Sequence, residues 1–291
     1  MSQSHEVKLL GCTPEPLMCY LKALGILRLV SEQADPDATA CWREDQLVLR
    51  SKFDEVGLLQ FFFTDYRPTS IIGPWAGGSG FFGNDNRKAV NAILNTKSPR
   101  TADYQAVIRR AKEILDEEGV SKKPSKEVKT RLLRRYRREM ADSFVQWMDA
   151  AMVLQFDGLA FVPVMGTGGN DGHLDFAQNF MLRLLELKLF DDKPAANCRG
   201  LLNQSHLGLP TPGLGKGAVG QFSPGRAGGP NSTQGMEGKP TDNAWDFVLM
   251  LEGTLMLAGS VVRRLGVHSR DKSAFPFTVR ARPVGEASAS E

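Results

Sequence analysis

The chain has 291 residues, 42% hydrophobic and 24% charged, and its 36 Lys+Arg against 33 Asp+Glu leave a formal charge of +3. That balance excludes wholesale disorder and allows one or two domains with a buried core, while a charge this small does not by itself announce a polyanionic partner. Cysteines 12, 19, 41 and 198 form no C-x-x-C pair and the four histidines are scattered, which excludes a locally encoded zinc module or disulfide framework.

Residues Met1 to Glu6 lack the basic-then-apolar layout of a secretory signal. The spacing predicts a short strand over Val7 to Leu10. A helix then starts at Thr13-Pro14-Glu15-Pro16, where a hydroxyl cap, a proline and an early acid combine, with Leu17, Tyr20, Leu21, Leu24 and Leu27 as its core face. Gln46 to Ser51 reads as a strand paired with Ala40 to Trp42 across Glu44-Asp45, Asp54 to Tyr66 as a helix, and Thr69 to Ile72 as a further strand.

The composition then shifts to a glycine-rich segment from Gly73 to Asp85, followed by a helix over Asn86 to Leu94. A second such element follows the apolar run Leu159 to Val164: Met165 to Gly172, leading into a helix over Leu174 to Phe190. Leu207 to Pro240 is a third glycine-rich stretch, too long for an ordinary connection. Asp242 is expected to cap a buried helix carrying Trp245, Val248, Leu249, Leu255, Leu257 and Val261 and ending near Arg263, Arg264 and Gly266. Although this is the most apolar part of the chain, Glu252 and its glycines argue against a membrane span. Phe275 to Arg280 reads as a strand.

These elements predict an α+β fold, helix-rich with short strands and long glycine-rich loops. Lys-Pro-Ser-Lys at 123–126 breaks the helical pattern and places a boundary between an N-terminal lobe, 1–120, and a helix-rich lobe, 121–284. Residues 285–291 have the composition of a disordered tail. The chain is expected to be cytoplasmic, with no membrane partner.

Between Ser121 and Met140 lie nine Lys/Arg against two Glu, a local excess that the whole-chain charge conceals. On a helix at ~100° per residue, Arg131, Arg134, Arg135 and Arg138 form one stripe and Val128, Leu132, Tyr136 and Met140 a neighbouring apolar one. The apolar stripe docks and the guanidinium stripe meets anions or simply solvent. A phosphate backbone is the natural long anion, because guanidinium groups grip phosphate oxygens in pairs and neutralised phosphates release counterions.

Glycine clusters ahead of helices offer backbone N–H groups as anion nests. Gly78-Ser79-Gly80-Phe81-Phe82-Gly83 matches G-x-G-x-x-G, but two Phe crowd a pyrophosphate turn and the acid for a ribose is not identifiable; Gly215 to Gly220 matches too, without a preceding strand. Trp75, Phe81 and Phe82 either stack on bases or, more in keeping with their type, anchor the loop to its own core. Asn84, Asn170 and Asn231 are candidates for base edges, though Asn84-Asp85 and Asn170-Asp171 are also ordinary turn formers, and Lys216 and Arg226 are candidates for phosphates. Asp171, His173 and Asp175 alternate but lack further metal ligands, and no nucleophile signature is present. Neither a cofactor nor a metal is expected.

The string Leu9 to Leu17 with Tyr20-Leu21-Lys22-Ala23-Leu24-Gly25 resembles the large subunit of the type I-G (formerly I-U) CRISPR Cascade complex. The resemblance continues through Gly73-Pro74-Trp75, Gly77 to Phe81, Gly166 to Gly172, Gln178 to Met181, Gly228 to Asn231, Trp245 to Leu249 and Leu251-Glu252-Gly253, in order, over most of residues 7 to 282. Ala76 and Ala244 depart from the pattern, standing where Asn and Pro are expected, and the helical C-terminal part of the family is missing, so the chain corresponds to the N-terminal half. The resemblance implies a non-catalytic subunit that binds target double-stranded DNA near its adjacent motif, within guide RNA-containing Cascade subunits, and helps recruit the helicase-nuclease. It supplies no catalytic residues. The alternatives are a nucleotide-binding enzyme using Gly78 to Gly83, and a protein-interaction scaffold.

Overall fold

The computed structural model describes residues 4–75, 79–83, 85–162, 165, 175–191, 193–217, 219, 222–226, 240–262 and 272–274. The fold is α+β, with nine α-helices and nine short strands among those residues. Strand β1 (His5–Leu9) pairs antiparallel with β3 (Gln46–Ser51), which pairs in turn with β2 (Thr39–Arg43), giving a three-stranded sheet of order β1-β3-β2. The β2–β3 hairpin turns at Glu44, whose φ is 56°. Across the sheet Glu6 accepts from Arg43 and Arg50, whose hydrogen bonds hold its carboxyl at about 2.

Helix α1 (Leu17–Gln33) begins later than the sequence suggests: Pro16 occupies the cap position with no side-chain bond, and Thr13 instead donates its hydroxyl to the Glu15 carbonyl at 2.5 Å. Its deepest residues are Met18, Leu21, Lys22, Gly25, Ile26 and Leu29, while Leu17, Tyr20, Leu24 and Leu27 are only partly covered. The helix is wrapped on more than one side, so a single amphipathic face does not describe it. Asp54 caps α2 (Glu55–Gln60) by accepting from Gly57 N at 2.7 Å, and the chain then widens into a π turn over Phe61–Asp65.

Thr69 to Ile72 is not a strand. This buried segment satisfies its backbone through side chains: Thr69 N donates to Glu252, Ile71 O accepts from Tyr104 and Ile72 O from the Trp147 indole. Helices α3 (Lys88–Asn95), α4 (Ala102–Glu117), α5 (Lys126–Glu139) and α6 (Asp142–Ala151) follow, then a hairpin of β4 (Met152–Gln155) and β5 (Gly158–Phe161). Helices α7 (Asp175–Leu187) and α8 (Cys198–Leu207) lead to a two-residue ribbon of β6 (Gly215–Lys216) with β7 (Thr241–Asp242).

Helix α9 (Ala244–Thr254) is buried along almost its whole length. Its cap is Asn243, whose side chain accepts from Trp245 N at 2.9 Å, and not Asp242, which belongs to β7. It stops at Thr254, short of the expected end; Val261 lies in the exposed strand β8 (Ser260–Val262), paired with β9 (Lys272–Ala274). The expected helix end at 263–266, the strand at 275–280 and the tail at 285–291 lie outside the described residues.

Helices α1 and α9 pack so closely that their glycines meet backbone: a Cβ on Gly25 would lie 2.0 Å from Leu249 O, and one on Gly253 1.8 Å from Leu21 O. Lys22 bonds Asp246 at 2.8 Å and Arg28 bonds Glu252 at 2.9 Å across this contact. The fully buried Glu252 carboxylate also accepts from Tyr66 OH (2.6 Å) and from Thr69 N and Oγ1 (2.9 and 2.6 Å), so the buried charges at this contact have their partners. One hydrophobic cluster takes residues from both sides of 121–126. The two expected lobes therefore share a core, and this segment connects α4 to α5.

Candidate nucleic-acid interface

The basic helix forms where the charge pattern places it. Ser125 caps α5 by accepting from Val128 N (3.4 Å), Glu127 sits in the first turn, and Arg137 and Arg138 sit in the last, each complementing the helix dipole. Its inner side buries Leu132, Leu133 and Tyr136. Tyr136 donates to Ala111 O on α4 (3.2 Å) and stacks on Trp75 with centroids 5.7 Å apart. The first glycine-rich segment is thereby anchored to the basic helix, with Trp75, Phe81 and Phe82 all buried rather than offered to a base.

The guanidinium stripe divides by partner. Arg135, with a 17% exposed side chain, donates to Glu117, Glu118 and Glu139; Arg131 donates to Glu118 at 2.8 Å. Arg110 adds bonds to Glu113, Glu117 and Glu139, so a carboxylate–guanidinium network clasps α4 to α5. Hydrogen bonds from Arg135, then Arg138, hold Glu139 at about 2, and Glu117 and Glu118 are lowered by their arginine bonds too. The expectation that all four arginines meet an external anion is corrected for Arg135, because helix packing brings Glu117 and Glu118 to it from the end of α4, beside Glu139 one turn along its own helix. Arg138 is 74% exposed although it touches Glu139, and Arg134 is exposed with no ionic partner among the described residues. Lys122 and Lys123 are exposed beside them in the sequence, while burial, then repulsion from Lys123, lowers the Lys129 ammonium.

The glycine loop is already occupied by its own anion. Asp85 accepts from Ser79 Oγ (3.2 Å), Gly80 N (3.1 Å) and Phe82 N (3.2 Å), which consumes the donors a phosphate would need. Within the described part of the motif, Ser79 to Gly83, these donors are thus engaged by the loop itself, while Gly78 lies outside the described residues. Asn84, Asn170 and Asn231 lie outside the described residues, as do Asp171 and His173.

Lys216 and Arg226 are brought to one ribbon. Lys216 is exposed on β6 opposite Thr241. Arg226 bonds the Thr241 carbonyl and lies 3.2 Å from Asp242 Oδ1, so it clasps its own turn to β7 as well as facing solvent. Asp242 is fully buried, with Arg183 3.6 Å away. Burial, then the neighbouring Asp246, pushes its carboxyl up to about 6 against the pull of Arg226 and Arg183. Nothing in the sequence singles out Arg183 and Asp242: one lies in an apolar helix pattern, the other has the look of a cap.

Cys12, Cys198 and His206, outside these clusters, are buried. Burial pushes the Cys12 thiol up to about 12 and the Cys198 thiol up to about 11, and it drives the buried His206 imidazole down to about 3. Among the described residues no group of three or more His, Cys, Asp or Glu gathers as metal ligands, and no helix is long and apolar enough to cross a membrane. No protein-family model and no curated protein matches the chain.

Proposed function

We propose that this chain is a nucleic-acid-binding, non-catalytic large-subunit component of an RNA-guided CRISPR antiviral complex. It binds target double-stranded DNA beside its adjacent motif and helps recruit the helicase-nuclease, working in the cytoplasm with guide RNA-containing Cascade subunits. The observation that carries the binding part is the solvent ridge of α5, where Arg134 has no ionic partner among the described residues and Arg131 and Arg138 stay largely exposed while each touches one acid of the Arg135 clasp. The ordered motifs from Leu9 to Gly253 support the assignment to this complex. Base pairing with the guide then supplies most sequence specificity, and the protein holds phosphates and reads a short duplex element.

Duplex titration at two salt concentrations tests the binding part. Replacing Arg131, Arg134 and Arg138 with Gln removes up to three phosphate contacts and lowers the magnitude of the log K against log[salt] slope by about 2 to 3. An unchanged slope rejects the ridge. Co-expression with a guide RNA and backbone subunits tests the assembly, which copurification supports and its failure opposes.

A further inference from the structure

Strand β1 is an edge of the three-stranded sheet: it pairs with β3 and with no second strand among the described residues. Beside it runs a groove of about 400 Å³, and consecutive residues of the strand, His5 to Lys8, line it. Successive side chains of a strand point to opposite faces, so a wall made of all of them is the backbone edge itself and not one face of the sheet. Such an edge offers N–H and C=O groups to one more strand.

The two ends of the groove differ. Leu10 and Leu209 line one end, 50% and 49% exposed, and a Cβ on the intervening Gly208 would lie 3.6 Å from Leu10 Cβ, so the two segments meet there. Asp54 and Glu55 line the other end. They follow β3 out of the sheet where Ser51 pairs with His5, and α2 leads from them towards the apolar end, since Phe62 just beyond it packs on His206 (ring centroids 4.7 Å), whose carbonyl accepts from Gly11 N (3.0 Å). Asp54 gives one oxygen to Gly57 N, while Glu55 is exposed and bonds no cation among the described residues. Glu6 is matched by Arg43 and Arg50, and Lys8 is exposed nearer the apolar end. The groove is therefore negative at the start of α2 and apolar, with a cation beside it, at the end of β1.

We propose that this groove takes an extended peptide segment of a partner protein as a fourth strand, antiparallel to β1, with an apolar residue on Leu10 and Leu209 and a Lys or Arg on Asp54 and Glu55. About six extended residues, roughly 20 Å, cover the distance from Leu10 to His5. Main-chain pairing supplies the affinity, and the unlike ends select the sequence and its direction, since the antiparallel pairing is the firmer one. The site uses no residue of α5, so it stands or falls apart from the nucleic-acid reading.

Fluorescence anisotropy of the whole chain with a labelled acetyl-LTVTVK-amide peptide tests this. Replacing the final lysine by glutamate is expected to weaken binding by about 10-fold, and Glu55→Lys to reverse that preference. Leu209→Asp is expected to weaken LTVTVK binding by about 10-fold. Peptides methylated on the backbone nitrogen of alternate residues separate strand pairing from side-chain contact and need no variant: methyls on the residues whose N–H faces β1 abolish binding, and methyls on the intervening residues leave it intact. Matching unfolding midpoints show that Glu55→Lys and Leu209→Asp fold. Equal binding by the two methylated peptides, or no binding of LTVTVK at about 1 mM, overturns the proposal. Dimerisation of wild type that Leu209→Asp abolishes would give the groove to a second copy of the chain and overturn it too.

Discussion

Replacing Gly25 with Ala sets two physical effects of opposite sign against each other. Helix propensity alone predicts that Ala in the middle of α1 stabilises the protein by about 1 kcal/mol. The packing predicts the reverse. The new methyl would lie 2.0 Å from Leu249 O and 2.9 Å from Gly253 N, both backbone atoms of α9 that cannot rotate away. Restoring an ordinary contact requires the helices to part by roughly 1 Å, and overpacking of this kind costs about 1–3 kcal/mol. The same displacement stretches Lys22–Asp246 at 2.8 Å and Arg28–Glu252 at 2.9 Å, three residues either side of Gly25, and buried hydrogen bonds to charged groups are worth about 1.5–3 kcal/mol each. Partial loss of both outweighs the propensity gain, leaving a net loss of about 3 kcal/mol. Urea unfolding followed by tryptophan fluorescence measures it, as a lower midpoint with an unchanged slope. Gly83→Ala, where a Cβ meets nothing within 4 Å, is the control and stays near wild type. A Gly25→Ala midpoint at or above wild type would refute the close-packed α1–α9 contact.

Three other outcomes follow from the buried charges and the clasp. Glu252→Ala strands the Arg28 guanidinium and three further donors, and thermal unfolding should show a loss of about 3–5 kcal/mol, whereas the joint change Arg28→Met with Glu252→Leu should lose less; equal losses would contradict the account. His206, buried and neutral with its pKa moved from 6.5 to about 3, makes the unfolded chain bind more protons across that interval. Stability is therefore fully present above pH 6.5 and falls as pH drops, by up to about 1.4 kcal/mol per unit. Asp242, raised to about 6, acts in the opposite direction between about 3.8 and 6, so the informative quantity is the pH dependence of the difference between wild type and His206→Phe, and a flat difference would exclude the imidazole. Arg135→Ala should lower the unfolding midpoint while Arg134→Ala leaves it unchanged and reduces only the salt slope of DNA binding; the converse pattern would reverse their assignments.

Most of the local elements were legible because they depend on neighbours in sequence. The β2–β3 hairpin, the helix after the first glycine-rich segment and the basic helix each follow from a period of two or of 3.6 with turn or cap residues at the ends. Helices α4, α6 and α8 went unassigned. The β4–β5 hairpin was missed as well, although Asp157-Gly158 is a hairpin signal. Thr69 to Ile72 reads as a strand because its residues suit one, and it fails to pair because Glu252, Tyr104 and Trp147, all far away in sequence, satisfy its backbone first.

The candidate site shows the same division. Nine basic residues between 121 and 140 establish a cationic helix, since charge and periodicity are carried by the chain itself. Which of those charges remains available depends on what folding places opposite them. Glu117 and Glu118 reach Arg135 only when α4 lies against α5, Asp85 fills the glycine nest only when its turn closes, and Leu159 N finds the Thr130 hydroxyl only when the β4–β5 hairpin lies on α5. The residue pattern thus specifies helices, turns and net charge, which are properties of consecutive residues. The pairing of charges arises from contacts between segments far apart in the chain, and it comes into being when the core around α1 and α9 brings those segments together.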